Sequence, residues 1–201
     1  MSRKRVAMAV LALVGMLSMM SVWGLARQEN NTTSNMNGQK GSMSQTMMLS
    51  SMDKKFMMEA GAGGMAEVEL AKLALDKSSS DDVKKFAQQM IDDHTKAGEE
   101  LMQVASQKNV TLPTGPDPKH AALMAKLRAM SGAEFDKMYI KEAGVNDHAK
   151  MEKLFQKEST GGKDADARSF AAKTLPTVQM HLKMARDIST QMMTGGAKAK
   201  M

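Results

Sequence analysis

The chain has 201 residues, 42% of them hydrophobic and 25% charged but only 3% aromatic, with 4 Pro; that suits one helical domain and disfavours a β-sandwich or barrel, whose strands draw on aromatic and β-branched residues. No Cys is present, which excludes disulfide scaffolds, thiolate zinc sites, iron–sulfur clusters, Cys nucleophiles and a lipid-anchored Cys. Nor does the formal charge of +6 indicate nucleic acid, because Arg3, Lys4 and Arg5 supply half of it and the remaining excess is scattered among acids with no basic stripe.

Residues 1–26 read as a secretory signal peptide: Arg3–Arg5 form a basic start, Val6–Met20 an apolar run, and Gly24-Leu25-Ala26 a cleavage site with small residues. An uncleaved anchor is the alternative, since the apolar stretch to Trp23 nearly reaches the ~20 residues of a span. No later segment is long and apolar enough to cross a bilayer. The expectation is an exported protein, periplasmic and open to outer-membrane association. Residues 27–51 are Ser, Asn, Gln, Thr and Met with almost no branched aliphatics, too polar to order themselves, and read as a flexible linker; residues 194–201 read likewise as a tail.

From Met52 to Met193 the apolar residues recur at helical spacing. A first helix is predicted over about 53–77, stopped by Ser78-Ser79-Ser80. A second starts at a Ser80 or Asp81 cap and runs to about 108, where a proline-bearing loop follows. A short helix over about 117–129 precedes a third long one, about 132–159, closed by Gly161-Gly162. The fourth, about 164–193, contains Pro176, which removes a backbone hydrogen bond or kinks it. The fold class is all-α: an up-and-down four-helix bundle with an extra short helix between the second and third.

Polar residues interrupt the apolar stripes. Glu67 lies on the stripe Phe56, Ala60, Gly63, Leu70, Ala74 of the first helix; His94 on Val83, Ala87, Met90, Ala97, Leu101 of the second; His181 on Phe170, Thr174, Val178, Ala185, Ile188 of the fourth. In the third, Val145, His148, Met151 and Phe155 share a side, but Lys141 intrudes and Phe135 falls out of phase, as a one-residue bulge would produce. Each polar residue stands near its helix midpoint, so at 1.5 Å per residue all four fall within roughly 4 Å of one level. One Glu and three His in one layer suit a single Zn, Fe, Cu or Mn ion. They equally suit a hydrogen-bonded polar layer that fixes helix register without a metal. Asp93 and Asp147, about 100° away around their helices, read as helix–helix partners or solvated charges, and His120 as exposed.

Five segments in order, FMMEAGAGGMAEVELAKLAL, VKKFAQQMIDDHTKAGEEL, GAEFDKMYI, NDHAKMEKLF and FAAKTLPTVQMHLKMA, make residues 53–190 resemble the exported bacterial family called domain of unknown function four-one-four-two, whose members are often labelled outer-membrane proteins. The resemblance implies a ferritin-like bundle with Glu67, His94, His148 and His181 as its polar core positions, and no established activity. Around KEAGVNDH the chain is one residue longer than the family pattern. An internal echo, Asp93-His94-Thr95-Lys96 with Leu101 against Asp147-His148-Ala149-Lys150 with Phe155, fits two related hairpins. True ferritins use Glu-x-x-His motifs; here Ile91, Val145 and Val178 hold the Glu positions, so no ferroxidase is predicted, and no nucleophile stands beside a base.

Met is 24 of 201, with Met36, Met43, Met47, Met48, Met52, Met57 and Met58 crowded before and into the first helix. Thioethers bind Cu(I), but Met also fills gaps in helical cores, and the second reading is preferred. Two functions stand: a non-enzymatic binding or envelope-stress module with a structural polar layer, or a mononuclear Fe, Zn or Cu protein, open to redox activity with Fe or Cu.

Overall fold

The structure is a computed structural model; it describes residues 49–198, with side chains to Thr194. The signal peptide, nearly all of the linker and Met36–Met48 lie outside the described residues. Among those described there is no strand, and no helix is long and apolar enough to cross a membrane.

Helix α1 (Ser51–Lys77) opens on a capping box in which the Ser50 hydroxyl accepts from Asp53 N and Asp53 accepts from Ser50 N. Helix α2 (Asp81–Gln107) takes its cap from Ser80 and α3 (Pro118–Arg128) from Asp117. The third long helix is composite: α4 (Gly132–Tyr139), a π-helical segment Ile140–Asp147, then α5 (His148–Gly161). Helix α6 (Ala165–Lys198) continues through Pro176, which leaves the Ala172 carbonyl without its usual donor. It also runs beyond Met193 into the segment read as a tail.

The composite helix accounts for the irregular stripe seen in the sequence. One stripe of its buried positions runs Phe135, Tyr139, Ala143, His148, Met151, Phe155 and Glu158, with Asp136, Ile140, Gly144 and Asp147 buried beside it, and the step from Ala143 to His148 along that stripe is five residues. A π turn closes on i→i+5, so it absorbs the extra residue and returns the rest of the helix to the core. Lys141, which disturbed the stripe, is exposed.

Two apolar clusters form the core. One joins Leu70, Phe86, Met90, Tyr139, Ile140 and Ala185 among others; the second joins Phe56, Leu101, Phe155, Phe170 and Val178. Along every long helix the clusters meet at the polar residue: Glu67, His94, His148 and His181 separate them. The ends confirm the helix directions. Lys163 N donates to Asp53 Oδ1 and Lys108 pairs with Asp164, which gathers the start of α1, the end of α2 and the start of α6. At the opposite end Ser79 Oγ donates to Asp136 Oδ2. Thus α1–α2 and α5–α6 are antiparallel hairpins, and the crossover through α3 lets α2 and α5 run the same way, the single-crossover connectivity of ferritin-like bundles.

Candidate metal centre

All four residues picked from the stripes meet in one buried layer, with Glu67 1%, His94 8%, His148 0% and His181 0% exposed. One ring nitrogen from each of His94, His148 and His181 lies within 4.8 Å of the other two. The ring of Phe86 sets its edge against both His148 and His181.

Hydrogen bonds fix two of the rings. His148 Nδ1 donates to the Ala143 carbonyl at 2.9 Å, which leaves Nε2 as a lone pair. His181 Nε2 donates to Asp93 Oδ2 at 2.9 Å, and its Nδ1 is buried with no partner. His94 Nε2 stands 3.4 Å from His148 Nε2; since the latter holds a lone pair, the former carries the hydrogen between them. Around a tetrahedral Zn with Zn–N of about 2.0–2.1 Å, neighbouring nitrogens are about 3.3–3.4 Å apart, the spacing of the His94–His148 pair. A backbone carbonyl and a carboxylate behind two imidazoles are the supports that metal-bound histidines characteristically have.

Glu67 approaches His94 Nε2 with Oε2 at 3.2 Å and His148 Nδ1 with Oε1 at 3.3 Å. Neither N–H is aligned on the carboxylate, so both oxygens are without a hydrogen bond. Burial, helped by the charge of Asp147, pushes the Glu67 carboxyl well above the usual range. Burial and the neighbouring rings hold His94 well below its ordinary value. Burial lowers His148 to about 4, against the pull of the Ala143 carbonyl, and lowers His181 against the pull of Asp93. Near pH 7 the three imidazoles are therefore neutral, and neutral imidazole is the form that binds metal.

Asp93 is a partner across helices, from α2 to α6, but its place directly behind an imidazole was missed by the reading of faces alone. Asp147 is 4% exposed and binds Lys119 and Lys150 through Oδ1. Its carboxyl is held well below the usual range because bonds from His120 and Lys119 outweigh burial. His120 corrects the sequence expectation of exposure: its side chain is 11% exposed, between Asp117 Oδ2 at 2.6 Å and Asp147 Oδ2 at 3.2 Å. The bond to Asp147 and that to Asp117 raise its pKa against burial. Sequence reasoning also missed a cavity of about 1100 Å³ lined by α1, α2, the loop 109–116 and residues of α5 and α6, which reaches His94; its trace in the sequence is the run of small residues on α1 and α2.

A family model described as "Domain of unknown function (DUF4142)" matches residues 38–188. No curated protein matches the chain. Among solved structures the fold is similar to a DUF305 fragment from Deinococcus radiodurans, with a TM-score of 0.63 at 10% identity over 71% of this chain and 98% of that one. A DUF305 protein from Streptomyces coelicolor gives 0.60 at 12% identity over 71% and 94%. CopM in its Cu(II)-bound form gives 0.59 at 16% over 69% and 96%. At these identities the likeness is one of fold.

Proposed function

The chain belongs to the DUF4142 family, and from that premise we propose that it is an exported helical-bundle protein that binds one transition-metal ion. His94, His148 and His181 supply the nitrogens and Glu67 the fourth donor. The observation that carries this reading is the pair of oriented rings with inward nitrogens, above all His181 Nδ1, buried and without a partner. Burying such an acceptor unpaired is unfavourable by about 1–3 kcal/mol, and a metal ion removes that penalty. Three neutral imidazoles and one carboxylate suit Zn, Fe or Cu, and the likeness to the fold of a Cu(II)-bound protein is compatible with the last.

A second reading, a binding or envelope-stress module whose polar layer is structural, is supported by the position of the four groups at the junction of the two apolar clusters, where a neutral layer fixes helix register. Elemental mass spectrometry separates the two on protein purified without chelator or His tag, beside a variant with all three core histidines changed to Ala. Near-stoichiometric metal lost in the variant supports the centre. Metal absent from both, even after reconstitution, rejects it.

A further inference from the structure

His94 differs from its two partners in what lies behind it. His148 and His181 each have an acceptor within the protein for the nitrogen turned away from the centre. His94 Nδ1 has none; it stands 3.9 Å from where a Cβ on Gly64 would be, and its ring forms part of the wall of the 1100 Å³ cavity. Glu67, His148 and His181 are not in that wall, so an occupant of the cavity meets the layer only through His94.

A metal on the inner nitrogen changes that ring. Without metal, the His94 hydrogen sits on Nε2 and is given to His148. A metal takes the Nε2 lone pair, and the ring then carries its hydrogen on Nδ1, as a donor facing the cavity with the cation behind it. The deep wall is apolar, with Leu101, Met151, Phe155, Phe170 and Val178. The size, about 1100 Å³, stands just above the range of small-molecule sites, about 300–1,000 Å³.

We propose that this cavity binds an aliphatic monocarboxylic acid, its apolar body against the Phe155 and Phe170 wall and its carboxylate accepting from His94 Nδ1. An acceptor-only, anionic head fits a donor backed by a cation; an ammonium head would set donor against donor and charge against charge. The protein uses the same pairing for His181, whose carboxylate is Asp93. The inference rests on the metal reading, because the donor on Nδ1 and the charge behind it come from the metal. By linkage, metal and acid strengthen each other equally, and supports of this kind alter metal affinity by about 10–100-fold.

Titration calorimetry on the full chain, metal-free and zinc-loaded, tests this with decanoate and decanol. Decanoate should bind the zinc form at least tenfold more tightly than the metal-free form, whereas decanol should not distinguish them. Gly64→Val, whose side chain grows toward Nδ1 from an uncrowded Cβ position, should keep zinc and lose decanoate. If that variant fails to load zinc, Gly98→Phe replaces it, since nothing lies within 4 Å of a Cβ at the cavity-lining Gly98. Zinc bound with no preference for decanoate overturns the cavity ligand alone. A natural chain that binds neither zinc, copper nor iron overturns the metal centre and the coupled site together.

Discussion

Gly144→Ala is a sharp test of how the π segment positions the centre. A Cβ at Gly144 would stand 2.8 Å from Ala185 Cβ of α6 and 3.6 Å from the Phe86 ring. Carbons pack comfortably at about 3.5–4.0 Å, so the segment and α6 must part by about 0.7–1.2 Å. Crowding of this kind costs about 1–3 kcal/mol, and loss of a glycine from a helix interior returns up to about 1 kcal/mol. The net expectation is a loss of about 1–2 kcal/mol, read as a fall in Tm of roughly 2–8 °C at about 2–4 °C per kcal/mol for a chain of this size. Zinc affinity should fall beyond what stability explains, because the neighbouring Ala143 carbonyl orients His148. The decisive assay is a double-mutant cycle with Ala185→Gly, which removes the clashing carbon: on that background Gly144→Ala should become neutral or stabilising. An equal effect on both backgrounds would refute the contact and the role given to the segment.

Asp93→Asn keeps the shape behind His181 but removes the charge; zinc affinity measured by chelator competition should fall about 10–100-fold, with Tm little changed. Zinc uptake should release no proton from the three imidazoles, which are already neutral, so the protons released come from the raised Glu67 carboxyl; calorimetry in buffers of different ionisation enthalpy reads this, and Glu67→Gln should abolish the release. Glu158, 1% exposed, is raised to about 7 by burial and by Asp53 beside it. A raised carboxyl favours the fold while protonated, and this contribution fades as pH rises from the ordinary range near 4.5 through 7; Tm of Glu158→Gln should therefore gain on the natural chain between pH 5 and 8, and a constant difference would refute it. At the same end Asp53, held at about 2 by bonds from Ser50 and Lys163 despite burial, contributes stability above pH 4 that disappears as pH falls toward 2.

Much of the molecule was legible as a pattern of apolar residues. On α1 every residue of the expected stripe is buried, and on α2 and α6 the polar members His94 and His181 are buried as placed. Periodicity suffices there because α1 and α2 keep a regular turn and α6 stays helical across Pro176. It failed between Phe135 and His148 because 3.6 residues per turn cannot describe a π segment; the misfit could be seen, but not its length of eight residues. Asp93 and His120 escaped for another reason: an acid beside the core can reach a neighbouring helix, and a histidine after a loop can be folded under it, neither of which face assignment registers. The buried carboxyls Asp53, Glu158 and Asp164 lie at helix ends, where the stripes stop and carry no information. A cavity is a lack of side chains, and only Gly61, Gly64, Ala97 and Gly98 hinted at it.

The layer that divides the apolar core gives the bundle a seam. Each half-core has its own aromatic group, Phe56, Phe155 and Phe170 on one side and Phe86, Phe135 and Tyr139 on the other. In the proposed centre an ion bonded to all four long helices would act there as a rivet, and hydrogen exchange of the two halves should become more closely coupled when metal is loaded.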